Sequence, residues 1–250
     1  AVLKNPLADP GIIGISSGAS FTAVIITAFA PTLYSFTPIA AFAGGVIAFF
    51  MVYCLSWKGG LSPMRIILTG VAVNSLFTGL SSAFNSMSGG DRTGVAAIVE
   101  ANITQKTWDD VMTLLPYVIA GLFLAMLFTQ ECNLLSLEDK TARSLGVNVN
   151  VTRIVISLVA VLLASISTAV AGAISFLGLI VPHIGRILVG SDHKMLLPFS
   201  AVFGAFTFLL ADTIGRTIAA PNEVSAAVIM SVVGGPFFIL LLRRSGKYGK

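Results

Sequence analysis

Long apolar runs separated by short polar breaks make up most of this chain, and only two of the interruptions are long. The runs fall at 12–30, ending at Pro31; 38–55, ending at Trp57-Lys58-Gly59-Gly60; 64–84; 114–128; 154–171; 174–189; 196–211; and 224–242. A helix needs roughly 20 apolar residues to cross ~30 Å of hydrocarbon, so each run reads as one membrane span. Pro182 is expected to break the sixth run, because a proline inside a helix removes a backbone donor and frees a carbonyl. The pattern predicts an all-α, polytopic transmembrane helical bundle of eight spans, one domain over 1–250, with both ends on one side.

The longer-lived clue is the second long interruption, 130–153, QECNLLSLEDKTARSLGVNVNVTR, which carries Glu131, Glu138, Asp139, Lys140, Arg143 and Arg153. Within it, 137–146 reads as a short amphipathic helix stopped by Gly146. Leu137, Thr141, Ala142 and Leu145 recur at three-to-four residue spacing on one face, with the charges on the other. A membrane protein turns its chain with far fewer residues. The segment is either a surface on which a partner docks or a solvated loop, and spacing alone leaves both open.

Composition agrees with the pattern. The chain is 56% apolar and 10% charged, with a mean hydropathy of +0.93, against about 25% charge for a soluble domain. The net charge of +4 therefore bears on orientation, not on nucleic acid. With the start of the chain inside, the inner side carries Lys4, Lys58, Arg65, Lys140, Arg143, Arg153, Arg186, Lys194, Arg243, Arg244, Lys247 and Lys250. The outer side carries Arg92, Lys106 and Arg216. Twelve against three places 130–153 in the cytoplasm. The other long interruption, 89–110, lies outside, with Trp108 at headgroup level. Cys54 and Cys132 match no metal-ligand spacing, and neither a disulfide nor a metal site is expected.

Candidate chemistry is sparse. Gly70, Ser75, Gly79, Ser81 and Ser82 in the third run let helix backbones approach closely, and a tight bundle accounts for most of them. Asn74 and Asn85 are costly in lipid and are expected to face a neighbour or a cavity. His183 and Arg186 follow Pro182, but no Ser-His-Asp or H-E-x-x-H pattern accompanies them, so no catalysis is expected. Asp212 and Arg216 stand four apart and can form a local pair; Glu223 is a second possible partner for Arg216. No Gly-rich phosphate loop is present, so the chain itself binds no nucleotide, and energy must come from a partner or an ion gradient. An ion-coupled secondary transporter is the alternative class, but it needs a carboxylate in mid-span, and the only acids near a span are Asp212 and Glu223 at one end.

Four stretches carry a resemblance: NPLADPGIIGISSGAS at 5–20, LLSLEDKTARSLGVNV at 134–149, GAISFLGLIVPHIGRILVGSDHKMLLP at 172–198 and GGPFFILLLRR at 234–244. In this order they resemble the permease subunits of iron–siderophore, haem and cobalamin ABC importers, the FecCD type of type II importer. The resemblance implies the last eight helices of a ten-helix permease and the expectation that two N-terminal helices are missing here. It implies a second permease copy or homologue, two ATP-binding-cassette ATPase subunits that hold ATP and Mg, an outside substrate-binding protein, and surrounding lipid of a bacterial cytoplasmic membrane. No cofactor is expected on this chain.

By the same resemblance, Leu137, Glu138, Ala142, Arg143, Leu145 and Gly146 belong to the ATPase-docking loop. Asn5 and Leu7 match a cytoplasmic gate, and Arg216 matches an outward arginine that pairs with the binding protein. The third and eighth runs match path-lining helices, with Asn74, Ser75, Ser81 and Ser82 as the polar candidates. The chain departs from the family pattern outside, with Ser225 for a proline, Ala227 for a glycine and Ala101-Asn102 for Gly-Ser. The substrate, whether siderophore, haem, cobalamin or oxyanion, is left open.

Overall fold

The structure, a computed structural model, describes residues 9–11, 13–56, 63–87, 98, 101–104 and 106–245. In chain order its helices are α1 (Ile15–Phe29), α2 (Thr37–Ser56), α3 (Pro63–Met87), α4 (Trp108–Leu127), α5 (Thr129–Leu135), α6 (Asp139–Ser144), α7 (Val149–Ala171), α8 (Leu177–Val189), α9 (His193–Ile218) and α10 (Ala226–Ser245), with a 3₁₀ turn over Pro31–Phe36 between α1 and α2. The described residues form no strand. Each of the eight apolar runs contains a helix.

The helices form two packing groups. In the first, α1 packs on α2, α3 and α7, while α7 also holds α2 and α4. The α1–α2 contact is close: a methyl group on Gly44 would lie 2.4 Å from the carbonyl oxygen of Gly18. Small residues at such a crossing let dispersion hold helices together where lipid removes the hydrophobic drive. In the second group, α8, α9 and α10 pack on one another around Ile180, Ala211, Ala226 and Met230. Helix α9 joins the groups by packing on α4 and α5.

Among the described residues, only α2, α3, α4, α7 and α9 are long and apolar enough to cross a membrane by themselves; α1, α8 and α10 are shorter apolar helices. The expected sixth span is the informative correction. Helix α8 runs unbroken through Pro182, and the break lies earlier, over 172–176, where the backbone is not helical. Gly172 ends α7 at φ 72°, ψ −176°, a conformation that is essentially glycine-only. Phe176 then opens α8 at φ 67°. Its side chain is held by α10: a methyl on Gly234 would lie 2.4 Å from the Phe176 Cβ, and its ring packs on Phe238 in a tilted contact at 6.2 Å.

Helices α1 and α8 start beside each other. A methyl on Gly11, just before α1, would lie 3.7 Å from the Ser175 hydroxyl, and one on Gly178 would lie 2.8 Å from the Asp9 carboxylate. From there the two helices run to opposite ends of the bundle. Ala28 of α1 shares a cluster with Ala169 and Ile98, whereas α8 descends to the turn that meets α5. At 1.5 Å per residue each covers only about 20 Å, so neither crosses alone. Discontinuous helices of this kind are tolerated at membrane depth where protein satisfies the freed backbone.

Candidate functional site

One end of the bundle carries α5 and α6. The expected helix over 137–146 forms as α6, Asp139–Ser144, with Glu138 as its N-cap residue. Gly146 follows at φ 85°. The N–H of Val147 donates to the Ala142 carbonyl at 3.2 Å, and the N–H of Gly146 donates to the Arg143 carbonyl at 3.0 Å. This pair of bonds is a Schellman stop, which needs a left-handed residue at Gly146. The helix is anchored at two points. Ala142 is 1% exposed in a cluster with Cys132, Leu135, Val149 and Ile156, and Arg153 of α7 donates to Asp139 at 3.1 Å.

The face reading needs one correction. Of the four residues placed on a single apolar face, Ala142 alone is buried. Leu137 is 42% and Leu145 59% exposed, and Thr141 is exposed as well. The helix is too short to bury a full stripe, so the small residue meets α7 and the two leucines flank it at the surface, among exposed Glu138, Lys140 and Arg143. A short rigid knob results, with two apolar side chains in a charged ring. Sequence reasoning missed α5, which reads as a loop because Gln130, Glu131 and Asn133 interrupt its hydropathy. Burial pushes the Cys132 thiol upward, which makes it an inert packing residue; both Cys54 and Cys132 are free.

The opposite end gathers a second set of polar residues. Arg216 Nε donates to Asp212 Oδ2 at 2.7 Å, so the local pair forms, and Arg216 stays exposed. Glu223 instead accepts a bond from the Thr104 hydroxyl. Tyr34 donates to Asp110 at 2.5 Å, and Lys106 donates to the Tyr34 hydroxyl at 3.1 Å. Asp110 and Thr107 form the capping box that starts α4. An open cavity of about 380 Å³ lies here, lined by Ala101, Ala173, Ser225, Ala227, Val228, Ser231 and Val232. Ala101, Ser225 and Ala227, three of the positions where the sequence departs from the family pattern, thus share one wall.

On α3, Ser75 and Ser82 are exposed on its outer face, Asn74 and Asn85 are half-buried, and Ser81 is buried within the bundle. Asn5 and Leu7 lie outside the described residues. Among the described residues no group of three or more His, Cys, Asp or Glu could hold a metal ion. Sequence reasoning also missed Asp9. It is 1% exposed, and its Oδ1 accepts from the Gly11 N–H at 2.8 Å. A carboxylate beside the start of α8 meets the positive end of that helix dipole. A buried carboxyl group is therefore present, enclosed by the chain's own glycine-lined turn.

The sequence matches the FecCD transport family over residues 1–244. It is 38% identical over 254 residues to the iron(3+)-hydroxamate import system permease protein FhuG of Bacillus subtilis (strain 168), covering 98% of this chain and 76% of that protein. It is 39% identical over 245 residues to the protein named probable heme-iron transport system permease protein IsdF of Staphylococcus aureus (strain Newman), covering 98% and 74%. The fold superposes with a TM-score of 0.79 and 27% identity on a structure described as an inward-facing conformation of a putative metal-chelate type ABC transporter, over 97% of this chain and 79% of that one. The chain belongs to the FecCD transport family and is a multi-pass permease of the ABC importer type.

Proposed function

We propose that this permease moves an iron–siderophore or related metal chelate across a bacterial cytoplasmic membrane by alternating access, driven by ATP hydrolysis on separate ATPase subunits that hold ATP and Mg. The observation that carries the reading is the α6 knob. Its exposed Leu137 and Leu145 suit a groove on a partner, and Glu138 and Arg143 set its register through charge. Anchored on α7 through Ala142 and the Asp139–Arg153 pair, the knob passes a push from the ATPase into a long helix. The α5–α6 end is cytoplasmic in this reading, as are both ends of the chain.

Arg216, exposed at the opposite end, meets an acidic side chain of an extracytoplasmic binding protein, where opposed charges speed encounter. The cavity beside it is open and lined by small and apolar residues with two serines. A bulky chelate needs a wide, weakly binding passage, and the cavity with Ser75 and Ser82 of α3 contributes to its wall. A second permease copy or homologue completes the path.

The test is co-purification from native membranes of the tagged protein beside a Glu138→Arg, Gly146→Arg variant. An ATP-binding-cassette subunit should accompany the first and be lost from the second. If none accompanies either, the docking reading is wrong. Uptake by the reconstituted complex, with an iron(III)–hydroxamate and haem in competition, then assigns the cargo.

A further inference from the structure

Helix α5 leads into the docking helix, and its Asn133 uses both halves of its amide across a sequence gap of sixty residues. Oδ1 accepts from the backbone N–H of His193 at 3.0 Å and lies 2.6 Å from His193 Nδ1. Nδ2 donates to Asp192 Oδ1 at 2.8 Å. That same carboxylate oxygen caps α9 by accepting from the Lys194 N–H at 3.0 Å. The partners fix the amide orientation, because the backbone N–H must meet an acceptor, and they place a proton on His193 Nδ1.

Two things make this clasp more than local capping. Helix α9 carries the main helix packing between the two groups, through α5 and α4. The α5–α6 segment thus has one polar anchor on each group: Asp139–Arg153 on α7, and Asn133 on the α8–α9 turn. We infer that Asn133 is a positioning residue that makes the docking segment and the α8–α10 helices move as one unit when the ATPases close; this rests on the docking reading above. An asparagine suits the position because it offers an acceptor to His193 and a donor to Asp192 from one short side chain. Aspartate would set two carboxylates together, and alanine would leave both partners without their bonds.

The experiment uses the whole complex purified with its ATPase, spin-labelled at exposed Ser136 and Met195 and compared without nucleotide and with ATP. In the otherwise native protein, the distance between the labels should stay constant between the two states. Asn133→Ala, and Asn133→Asp as a second variant that keeps the acceptor for His193, should give a distance that shifts with ATP, at unchanged melting temperature and unchanged ATPase co-purification. Asp192→Asn retains an acceptor for the amide and should behave as native. A constant distance in both Asn133 variants overturns the inference while leaving the docking reading intact. So does a loss of the ATPase or of thermal stability in both, since the residue would then be merely structural. Absence of any ATPase with the native protein overturns the docking reading, and this inference with it.

Discussion

Substituting Gly146 separates backbone strain from contact at the α6 knob, for which docking is proposed. No heavy atom lies within 4 Å of a methyl group built there, so Gly146→Ala adds no clash and acts only through φ 85°. Placing an L side chain in the left-handed region costs roughly 1–2 kcal/mol. The Schellman bonds from Val147 and Gly146 hold the end of a six-residue helix that has little stability of its own. A loss of about 1 kcal/mol shifts the formed fraction of such an end by about fivefold. The expected outcome is an apparent Kd for the ATPase raised about fivefold in Gly146→Ala, with the melting temperature of the bundle unchanged, since the perturbation lies outside the helix core. Asparagine visits the left-handed region readily, so Gly146→Asn should weaken binding much less. Titration of detergent-solubilised permease with purified ATPase reads both. Equal weakening by alanine and asparagine, or none by alanine, would refute the strain argument.

Three further outcomes follow from the geometry. Gly44→Ala places a methyl 2.4 Å from the Gly18 carbonyl and 2.3 Å from the Thr22 hydroxyl, and overpacking of this kind costs about 1–3 kcal/mol; thermal unfolding should show the loss, while Gly79→Ala on open α3 should not. Arg216→Glu breaks an exposed pair worth only a few tenths of a kcal/mol, so stability should hold, but the association rate with the binding protein should fall and lose its salt dependence; an unchanged rate at low salt removes Arg216 from docking. The Lys194 N–H and the Asn133 amide hold the Asp192 carboxyl below its usual range, so its stabilisation is present above the ordinary carboxylate pKa of about 3.9 and is lost as pH falls through the lower folded value. The Ser136–Met195 distance should therefore hold at neutral pH and broaden only in strong acid, and a change between pH 8 and 6 would contradict this.

Hydropathy located every membrane helix but misjudged where helices begin and end. Helix α4 starts at Trp108, six residues before the expected apolar run at 114, because Thr107, Asp109 and Asp110 form a polar first turn that a hydropathy window scores as loop. Helix α9 extends past its run at both ends, capped by Asp192 and carrying the Asp212–Arg216 pair inside its last turns. Proline is the visible breaker in this run, yet α8 continues through Pro182 and the break lies at 172–176. A glycine held at φ 72° by its approach to Ala101 leaves no such mark. Helix α6 is legible in the sequence because its cap, charges and stop are all local. Asp9 against Gly178, and Asn133 against His193, depend on contacts between distant parts of the chain, which no spacing records.

The position of those long-range contacts has a physical reason. Lipid tails compete with leucine on equal terms, so apolar faces alone fix the helices of a membrane bundle only loosely against one another. What specifies their relative placement here is polar or glycine-mediated: Gly18 on Gly44 between α1 and α2, Asp9 where α1 and α8 start, Phe176 against Gly234 between α8 and α10, and the two anchors of the α5–α6 segment. Contacts of this kind have discrete partners and break or hold as units, whereas apolar helix faces can slide. The alternating access proposed for this permease would draw on both properties. The anchors at the α5–α6 end can keep that segment with its helices, while the exposed faces of α3 and α10 are the ones left free to move against whatever covers them.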